Sequence, residues 1–431
     1  MAEPFRSVEV VEVRLGDEPV GVVAIDPATR SPVFQYERSW VAAQPVDLAP
    51  LQLPPTNQPQ SFPHLVNTSF RGLPGLIADS LPGVFADALT NSWLARHGVQ
   101  PGAVTALDRL AYVGSRAMGA LTFHPVIGPT ETHSATAVRL SQATESARRA
   151  LHGDLDDDDA LHRLLDISGS AGGARPKVLL ATDGQGRYLS GQVDAPAGFD
   201  HWIFKLDVAR GRPTGEPTGL GRLEYAYHLM AVEAGLTMQR CQLVAEGPLA
   251  HFATRRFDRP APGERVHVQS LAAMAHLPPE QVGSHGYEQY LQTCQRLSLE
   301  LDEVVEAFRR IVFNMAAANR DDHTKNLAFV HADGAWRLAP AFDLTFPYDT
   351  DGGWPVAHQM TVNGSPSAAD RHTLMDLAER AKIPRRRADE VIEQVTTATS
   401  RWLEHAEDAG VFEQHCQQVA DEISKTPLAG V

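Results

Sequence analysis

The sequence has 431 residues, of which 43% are hydrophobic and 21% charged, and its 38 Lys and Arg against 53 Asp and Glu give a formal net charge of −15. This composition is typical of a globular protein of two or three packed units, and it excludes a disordered chain, a collagen-like fibre and a disulfide miniprotein. A chain this acidic is not expected to bind nucleic acid over its general surface, because neutralising phosphates needs clustered positive charge.

The sequence also predicts the compartment. The N-terminal residues alternate polar and apolar side chains as a β-strand does, and they lack the apolar core of a signal peptide. No stretch approaches the roughly 18 apolar residues of a membrane span. The three cysteines contain no CxxC pair, which predicts neither a disulfide framework nor a thiolate zinc site. Together these features predict a cytoplasmic protein that does not associate with membranes.

The first quarter of the chain begins with a predicted β-hairpin. Two apolar runs, 8–13 and 21–25, flank the turn residues Gly16 and Asp17. From about Phe70 the apolar residues recur every three or four positions, which predicts helices. The residues of this pattern are Leu76, Phe85, Leu89, Trp93 and Leu94.

The next segment is predicted to connect two parts of the fold. Residues 116–123 return towards a strand, and the polar stretch 128–134 is predicted to be a linker. A short helix is expected over 143–151. The acidic run 154–159, interrupted by one leucine, is predicted to be a solvated loop or helix start, with a cation site as the alternative.

A β-rich region with a glycine loop follows. The loop sequence GSAGGARPK, residues 169–177, precedes three predicted strands, and a turn signal at 183–186 separates the first two. The strands are predicted at 178–181, 188–190 and 202–206. The last of these carries Lys205 near its end.

The remainder of the chain is predicted to be mainly helical after turn-forming residues at 260–263. A helix over 302–318 places four apolar residues on one face and ends in a polar loop, 319–326. The four residues are Val305, Phe308, Val312 and Met315. The basic run 385–387 is predicted to be a solvated helix face, and contact with DNA phosphates or a partner is the alternative.

The polar loop carries the strongest chemical signal. Asp321 and Asn326 are five residues apart, as in the catalytic loops of protein kinases. Phosphoryl transfer needs a carboxylate that accepts the proton of the attacking hydroxyl, and oxygen ligands that hold Mg²⁺ against the phosphates. Asp343 follows a predicted strand pair and supplies a second carboxylate. Taken singly, the loop pattern could be a coincidence, and Phe342-Asp343 could cap a turn.

Four other features have both a chemical and a structural interpretation. The glycine loop matches neither a Walker nor a Rossmann pattern, but its N–H groups could cradle phosphates, or it could be a turn. Lys205 could meet phosphate as a point charge or reach solvent. Glu224 could pair with Lys205, or stabilise the first turn of its helix. His323 could be a metal ligand or a hydrogen-bonding side chain.

Five segments in this order resemble the HipA-type serine/threonine kinases, the toxin components of bacterial HipBA toxin–antitoxin modules. The segments are 170–177, 202–205, 256–259, 319–326 and 338–344. Residues 75–82 and 119–123 are similar to the N-terminal subdomain of that family, so the resemblance covers nearly the whole chain.

The resemblance implies an α+β, two-lobed, protein-kinase-like fold, with the nucleotide between a β-rich N-lobe and a mostly helical C-lobe. Residues 1–127 would form the extra N-terminal subdomain of the N-lobe. Residues 136–258 would form its nucleotide-binding part, and residues 259–431 the helical catalytic C-lobe.

The resemblance also implies a role for each matched residue. Asp321 would be the catalytic base, and Asn326 and Asp343 would bind Mg²⁺. Ser170, with Ser168 as the alternative, would be autophosphorylated, which expels the glycine loop and inactivates the kinase. The residues implied to bind ATP are Gly172, Gly173, Ala174, Arg175, Pro176, Lys177, Lys205, Arg255, Phe257, His323, Lys325, Asn326, Phe342 and Asp343.

The implied partners are a HipB-like helix-turn-helix antitoxin, DNA mainly through that antitoxin, and a protein substrate such as an aminoacyl-tRNA synthetase. Two positions depart from the family. Arg255 stands in the hinge where the best-known member has an acidic residue, and the loop reads GGARPK. The alternatives to an active protein kinase are a kinase-shaped corepressor that binds an antitoxin, and a small-molecule or lipid kinase.

Overall fold

The computed structural model describes residues 7–43, 46–128, 136–152, 158–170, 172–173, 175–209, 216–347 and 356–430. The chain divides into two compact units. The first contains residues 1–216 and 253–269, and the second contains residues 217–252 and 270–431. The chain therefore returns to the first unit once before it completes the second.

An antiparallel sheet of five strands begins the first unit. Its strands are β1 Val10–Leu15, β2 Glu18–Ile25, β3 Pro32–Tyr36, β4 Gln60–Ser61 and β5 Leu121–His124. Their order is β4-β3-β2-β1-β5. The predicted hairpin turn is confirmed at Gly16, whose φ of +60° favours glycine. Val11, Val13 and Val23 are fully buried, because alternate residues of a strand point to the same face.

Six α-helices lie among the described residues of the first unit: α1 Arg38–Ala43, α2 Gly75–Ala78, α3 Val84–Arg96, α4 Ala106–Val113, α5 Leu140–His152 and α6 Asp158–Leu165. Helix α4 begins with a capping box in which Thr105 and Asp108 bond each other's main-chain N–H. Asp108 also accepts the N–H of Val8 at 2.7 Å. This buried carboxylate therefore ties the start of the helix to the chain entering the first sheet.

A second antiparallel sheet forms the β-rich region. It contains β6 Lys177–Thr182, β7 Tyr188–Ser190 and β8 Asp200–Lys205, and β6 pairs with both neighbours. The register places Lys177 opposite Lys205 at one end of the β6–β8 pair. Strand β11, His267–Ser270, begins in the same unit.

The second unit is mainly helical, as predicted. Its helices are α7 Leu220–Glu233, α8 Leu271–Ala275, α9 Tyr287–Arg296, α10 Leu301–Ala316, α11 Arg371–Arg380, α12 Arg385–Ser400, α13 Trp402–Asp408 and α14 Glu413–Ser424. Its strands are β9 Cys241–Glu246, β10 Leu249–Arg255, β12 His285–Gly286, β13 Ala328–Ala332, β14 Ala335–Leu338 and β15 Met360–Thr361. The last three residues of β10 belong to the first unit. Strands β13 and β14 form a hairpin, and β12 pairs in parallel with β15.

Helix α10 lies at the centre of the second unit. Its predicted apolar face is buried, and Phe308 and Phe313 are fully so. The ring of Tyr227 on α7 meets Phe313 edge-on, with 6.4 Å between centroids. Burying side chains of this size stabilises the fold by roughly 1.5–3 kcal/mol each. The Tyr227 hydroxyl donates to the Ala317 carbonyl at 2.7 Å, which fixes the end of the helix where the polar loop begins.

Three predicted elements need correction or fall outside the described residues. Strand β5 begins only at Leu121, so 116–120 is irregular rather than extended. Of the predicted linker, only Gly128 is described, and residues 154–157 of the acidic run also lie outside the described residues. The remainder of that run begins α6, as one of its two interpretations requires.

The basic run 385–387 forms the first residues of α12. The side chains of Arg385 and Arg386 are 88% and 90% exposed, and Arg386 pairs with Glu390 one turn later at 2.8 Å. The first two residues of the run therefore lie on an exposed helix face. Among the described residues, no helix combines the length and apolar character needed to cross a membrane.

Candidate active site

The polar loop leaves α10 through a Schellman turn. Ala318 adopts a left-handed φ of +52°, and the N–H of Asn319 donates to the Asn314 carbonyl at 3.0 Å. The Asn319 side-chain Nδ2 also donates to Oδ1 of Asn314, at 2.9 Å. Both asparagines are buried. The helix end therefore holds the loop firmly just before Asp321.

The structure brings together three of the predicted site residues in this loop. The Asn326 Nδ2 donates to the main-chain carbonyl of Asp321 at 2.8 Å. The His323 Nε2 lies 3.8 Å from the Asp321 Oδ1, close enough for an ion pair when the imidazole is protonated. The Asp321 side chain is 42% exposed, so a hydroxyl from solution can approach it. This arrangement suits a general base better than a structural aspartate.

The amide of Asn326 is oriented by its hydrogen bond. Only the NH₂ group can donate to a carbonyl, so the contact with Asp321 fixes which end is Nδ2 and leaves Oδ1 as an acceptor. The residue ends a 3₁₀ turn, Thr324–Asn326, which Thr324 anchors through a 2.8 Å bond to the Leu277 carbonyl. Such an amide oxygen is the kind of hard ligand that Mg²⁺ prefers.

Asp343, the second predicted ligand, lies beyond β14 in the same unit. It is half-buried and adopts a left-handed φ of +56°, which is costly for a residue other than glycine. The N–H of Ala341 donates to the Thr237 carbonyl at 2.8 Å, and this bond holds the segment that leads to Asp343. Strained residues of this kind concentrate at functional sites.

One amide oxygen and one carboxylate fit a Mg²⁺ ion that keeps water and phosphate oxygens as its other ligands. Among the described residues, no group of three or more His, Cys, Asp or Glu is arranged to hold a metal by itself.

In the first unit, Lys205 ends strand β8 and is only 5% exposed, so its interpretation as a lysine that reaches solvent is wrong. The register of the sheet places Lys177 opposite it. Two lysines at one end of a strand pair can supply positive charge to a phosphate group.

The glycine loop precedes these lysines and contacts one of them. Lys177 Nζ donates to the carbonyl oxygen of Gly172. Gly173 has φ of +96°, and a Cβ there would collide with Lys177 Nζ. The left-handed conformation therefore favours glycine here. Arg175 is half-buried and Pro176 buried, whereas Ala174 lies outside the described residues.

The two candidate serines stand just before this loop. Ser170 is 3% exposed, and its Oγ accepts the N–H of Met118 at 2.9 Å. Ser168 is 7% exposed, and its hydroxyl has no hydrogen-bond partner among the described residues. Both lie in the first unit. A phosphate on either buried hydroxyl would require this segment to move.

At the predicted hinge, the side chain of Arg255 forms an ion pair with Asp200. Its Nη2 donates to the Asp200 Oδ1 at 2.8 Å and to the Pro260 carbonyl at 3.3 Å. The next N–H, of Arg256, donates to the His201 carbonyl at 2.8 Å. Phe257 is half-buried. Arg255 is therefore held by an ion pair with Asp200.

The RFDR segment holds part of the first unit together. Asp258 is buried between Arg256 and Arg259, at 2.7 and 2.9 Å. Burial by itself would raise the pKa of Asp258, but the two guanidinium groups hold that pKa well below its usual range. The carboxylate also accepts the N–H of Gly119 at 2.8 Å. This motif is therefore structural, although it contributes to the sequence resemblance.

Three further predicted residues, Glu224, Lys325 and Phe342, lie in the second unit. Glu224 is the fifth residue of α7 and 1% exposed, so the interpretation as a first-turn residue is wrong. Helix α7 begins after Gly219, whose left-handed conformation at the N-cap was not anticipated. Lys325 and Phe342 are half-buried in the second unit.

Sequence reasoning missed the residues that support Asp321. Gln359 donates from Nε2 to the Asp321 Oδ1 at 2.8 Å, and Asp322 accepts a bond from His358 at 2.9 Å. Asp322 stood inside the recognised loop, but nothing local distinguishes it from a solvated acidic residue. His358 and Gln359 lie more than 30 residues further on, with no motif of their own.

Comparisons with known proteins give a consistent result. A family model described as the HipA N-terminal domain matches residues 11–124, and one described as the HipA-like C-terminal domain matches residues 169–403. HipA from Shewanella oneidensis MR-1, solved with HipB and its operator DNA, is 16% identical with a TM-score of 0.67, and the match covers 97% of this chain and 96% of that one. This similarity confirms the predicted fold class.

A second solved structure, the proinflammatory kinase CtkA of Helicobacter pylori, is 13% identical. The match covers 60% of this chain and 97% of that one, and its TM-score is 0.34.

Proposed function

Because the chain belongs to the HipA family, we propose that it is an ATP- and Mg²⁺-dependent protein serine/threonine kinase and the toxin of a toxin–antitoxin module. The observation that carries this proposal is the loop in which Asn326 bonds the Asp321 main chain while the Asp321 carboxylate stays accessible. A base and an oriented amide oxygen are what phosphoryl transfer requires of such a loop.

In the proposed reaction, the hydroxyl oxygen of a serine or threonine attacks the γ-phosphorus of ATP. The bond from that phosphorus to the β–γ bridging oxygen breaks, ADP leaves, and the hydroxyl proton passes to Asp321. Asn326 and Asp343 would hold Mg²⁺, which supplies positive charge against the phosphate oxygens. The Asp321 carboxylate also accepts a hydrogen bond from Gln359 Nε2 at 2.8 Å.

Nucleotide binding is proposed for two further groups of residues. In the first unit, Lys205 and Lys177, which lie opposite each other in β8 and β6, would contact phosphate oxygens as positive charges. The main chain near Arg255 and Phe257 would contact adenine. In the second unit, His323 precedes the turn that ends at Asn326 and Lys325 lies within it, and both side chains would contact the phosphates.

Regulation is proposed at Ser170. Its hydroxyl is buried and caps the Met118 N–H. A phosphate would bring nearly two negative charges into this buried position, so the modified segment would be expelled together with the glycine loop. That movement would remove the phosphate contacts of Lys177 and inactivate the kinase.

The proposed partner is a HipB-like helix-turn-helix antitoxin, because the structurally similar Shewanella oneidensis HipA was solved with HipB and operator DNA. DNA would be contacted mainly through that antitoxin, in keeping with the net charge of −15. The proposed substrate is a translation protein such as an aminoacyl-tRNA synthetase in the cytoplasm. We also propose that residues 1–127 form an N-terminal subdomain, residues 136–258 the nucleotide-binding part of the N-lobe and residues 259–431 the helical catalytic C-lobe.

Induced expression tests this function. We expect the wild type to arrest growth and to raise the phosphorylation of one or a few proteins, as seen by phosphoproteomics. Asp321→Asn should abolish both effects, whereas Asp408→Asn, an exposed aspartate on α13, should leave them unchanged. Growth arrest by the Asp321→Asn protein would contradict the proposal. Antitoxin binding without any phosphate transfer would favour a corepressor, and a phosphorylated metabolite or lipid would favour a small-molecule kinase.

A further inference from the structure

A buried carboxylate lies directly beside the proposed base. Asp322 follows Asp321 in the chain, but its side chain is fully buried. Its Oδ2 accepts the Tyr287 hydroxyl at 2.7 Å and the His358 Nδ1 at 2.9 Å, and its Oδ1 accepts the N–H of Gln359 at 2.8 Å. Buried carboxylates are tolerated when bonded in this way, and such groups rigidify their surroundings.

The network extends to the end of α10. Asn314 Nδ2 donates to the Tyr287 oxygen at 2.8 Å, so the Tyr287 hydroxyl must donate its own hydrogen to Asp322. Burial, followed by the charge of Asp322, raises the pKa of Tyr287 well above its ordinary value, which keeps the phenol protonated. Asn319 in turn bonds Asn314. One chain of hydrogen bonds therefore joins helix α10, the polar loop 319–326 and helix α9.

Gln359 connects this buried network to the accessible base. Its main-chain N–H donates to Asp322, and its side-chain Nε2 donates to Oδ1 of Asp321 at 2.8 Å. One residue therefore binds two consecutive carboxylates of the loop. The position of Gln359 is fixed from the inside by Asp322 and His358, so the side chain that reaches Asp321 starts from a rigid point.

We propose that Gln359 is a positioning residue for phosphoryl transfer, which sets the orientation of the Asp321 carboxylate through this clamp. The inference rests on the proposed kinase function. The bond to Asp321 lies on a carboxylate that is 42% exposed, so it contributes little to core packing. We expect the hydrogen bond from Gln359 to affect the geometry of proton transfer to Asp321 instead, because a small displacement of the base slows the reaction strongly.

Two substitutions separate positioning from stability. Gln359→Leu keeps the size and the main-chain bond to Asp322 but removes the side-chain donor. Gln359→Glu keeps the shape but places a second carboxylate against Asp321. The matched control is Gln417→Leu, because Gln417 donates from Nε2 to Asp421 at 2.8 Å on the exposed surface of α14.

The full-length chain is incubated with MgATP, and the rate of phosphate incorporation into the protein is measured over a range of ATP concentrations, beside the melting temperature. We expect both Gln359 variants to lower the maximal rate about 10- to 100-fold, with the half-saturating ATP concentration within about twofold of the wild type. The control should keep the wild-type rate.

An unchanged maximal rate in Gln359→Leu overturns the inference while leaving the kinase function in place. A parallel fall in melting temperature, ATP affinity and rate also overturns it, since that result indicates a structural role. If the wild type incorporates no phosphate and releases no ADP, the proposed function fails, and the inference fails with it.

Discussion

The buried network beneath the catalytic loop makes a specific prediction about stability. Tyr287→Phe removes one hydroxyl from a fully buried side chain. Asp322 then loses a hydrogen bond to a charged group, which is worth about 1.5–3 kcal/mol, and the Asn314 amide is left unsatisfied, at a cost of about 1–3 kcal/mol. We expect a total loss of about 3–5 kcal/mol in the free energy of unfolding of the second unit.

Tyr290 offers a matched control on the same helix. It is equally buried, but its hydroxyl has no hydrogen-bond partner within normal distance among the described residues, although Arg310 lies beside it. Tyr290→Phe should therefore change the free energy of unfolding by less than about 1 kcal/mol. The two substitutions delete the same atom from the same helix.

Thermal unfolding of the full chain measures the difference. A change of 1 kcal/mol shifts the melting temperature of a unit of this size by roughly 2–4 °C. Tyr287→Phe should lower the transition of the second unit by about 6–20 °C, beyond the shift in Tyr290→Phe. Equal shifts for the two variants would refute the view that the Tyr287–Asp322 contact organises the loop.

Two other predictions concern the first unit. Asp258→Asn removes the carboxylate between the buried Arg256 and Arg259 and should lower the free energy of unfolding by about 3–5 kcal/mol near neutral pH. Because the folded-state pKa of Asp258 lies below its unfolded value, the difference from the wild type should shrink as the pH falls below about 4. A difference that grew at acid pH would contradict the lowered pKa. Lys205→Met should weaken ATP binding about 10- to 100-fold in calorimetry, whereas Lys382→Met, at an exposed position, should bind ATP as the wild type does.

The local part of the site could be predicted from sequence because its residues are neighbours in the chain. Asp321, His323 and Asn326 belong to one loop, so their spacing already limits their geometry. The hairpin before Asp343 was predictable for the same reason, since two short apolar runs flank a turn.

The other parts of the site could not be predicted, because they depend on contacts between residues that are distant in the sequence. The burial of Lys205 follows from the register of β6 against β8, which no local pattern specifies. Glu224 was wrongly predicted to open its helix. Helix α7 begins four residues earlier, at Leu220, after Gly219 in a left-handed conformation at the N-cap. Gln359 reaches Asp321 across 38 positions, and a single glutamine carries no signal of that contact.

The central claim is that Asp321 supports phosphate transfer from ATP, and intact mass spectrometry tests it most directly. The intact masses of the purified wild-type and Asp321→Asn proteins are measured before and after incubation with ATP and Mg²⁺. ATP binding is measured for both proteins. We expect the wild type alone to gain one phosphate, mapped to Ser170, while both proteins bind ATP. Equal phosphate gain in Asp321→Asn, or a wild-type protein that binds no ATP, would contradict the assignment.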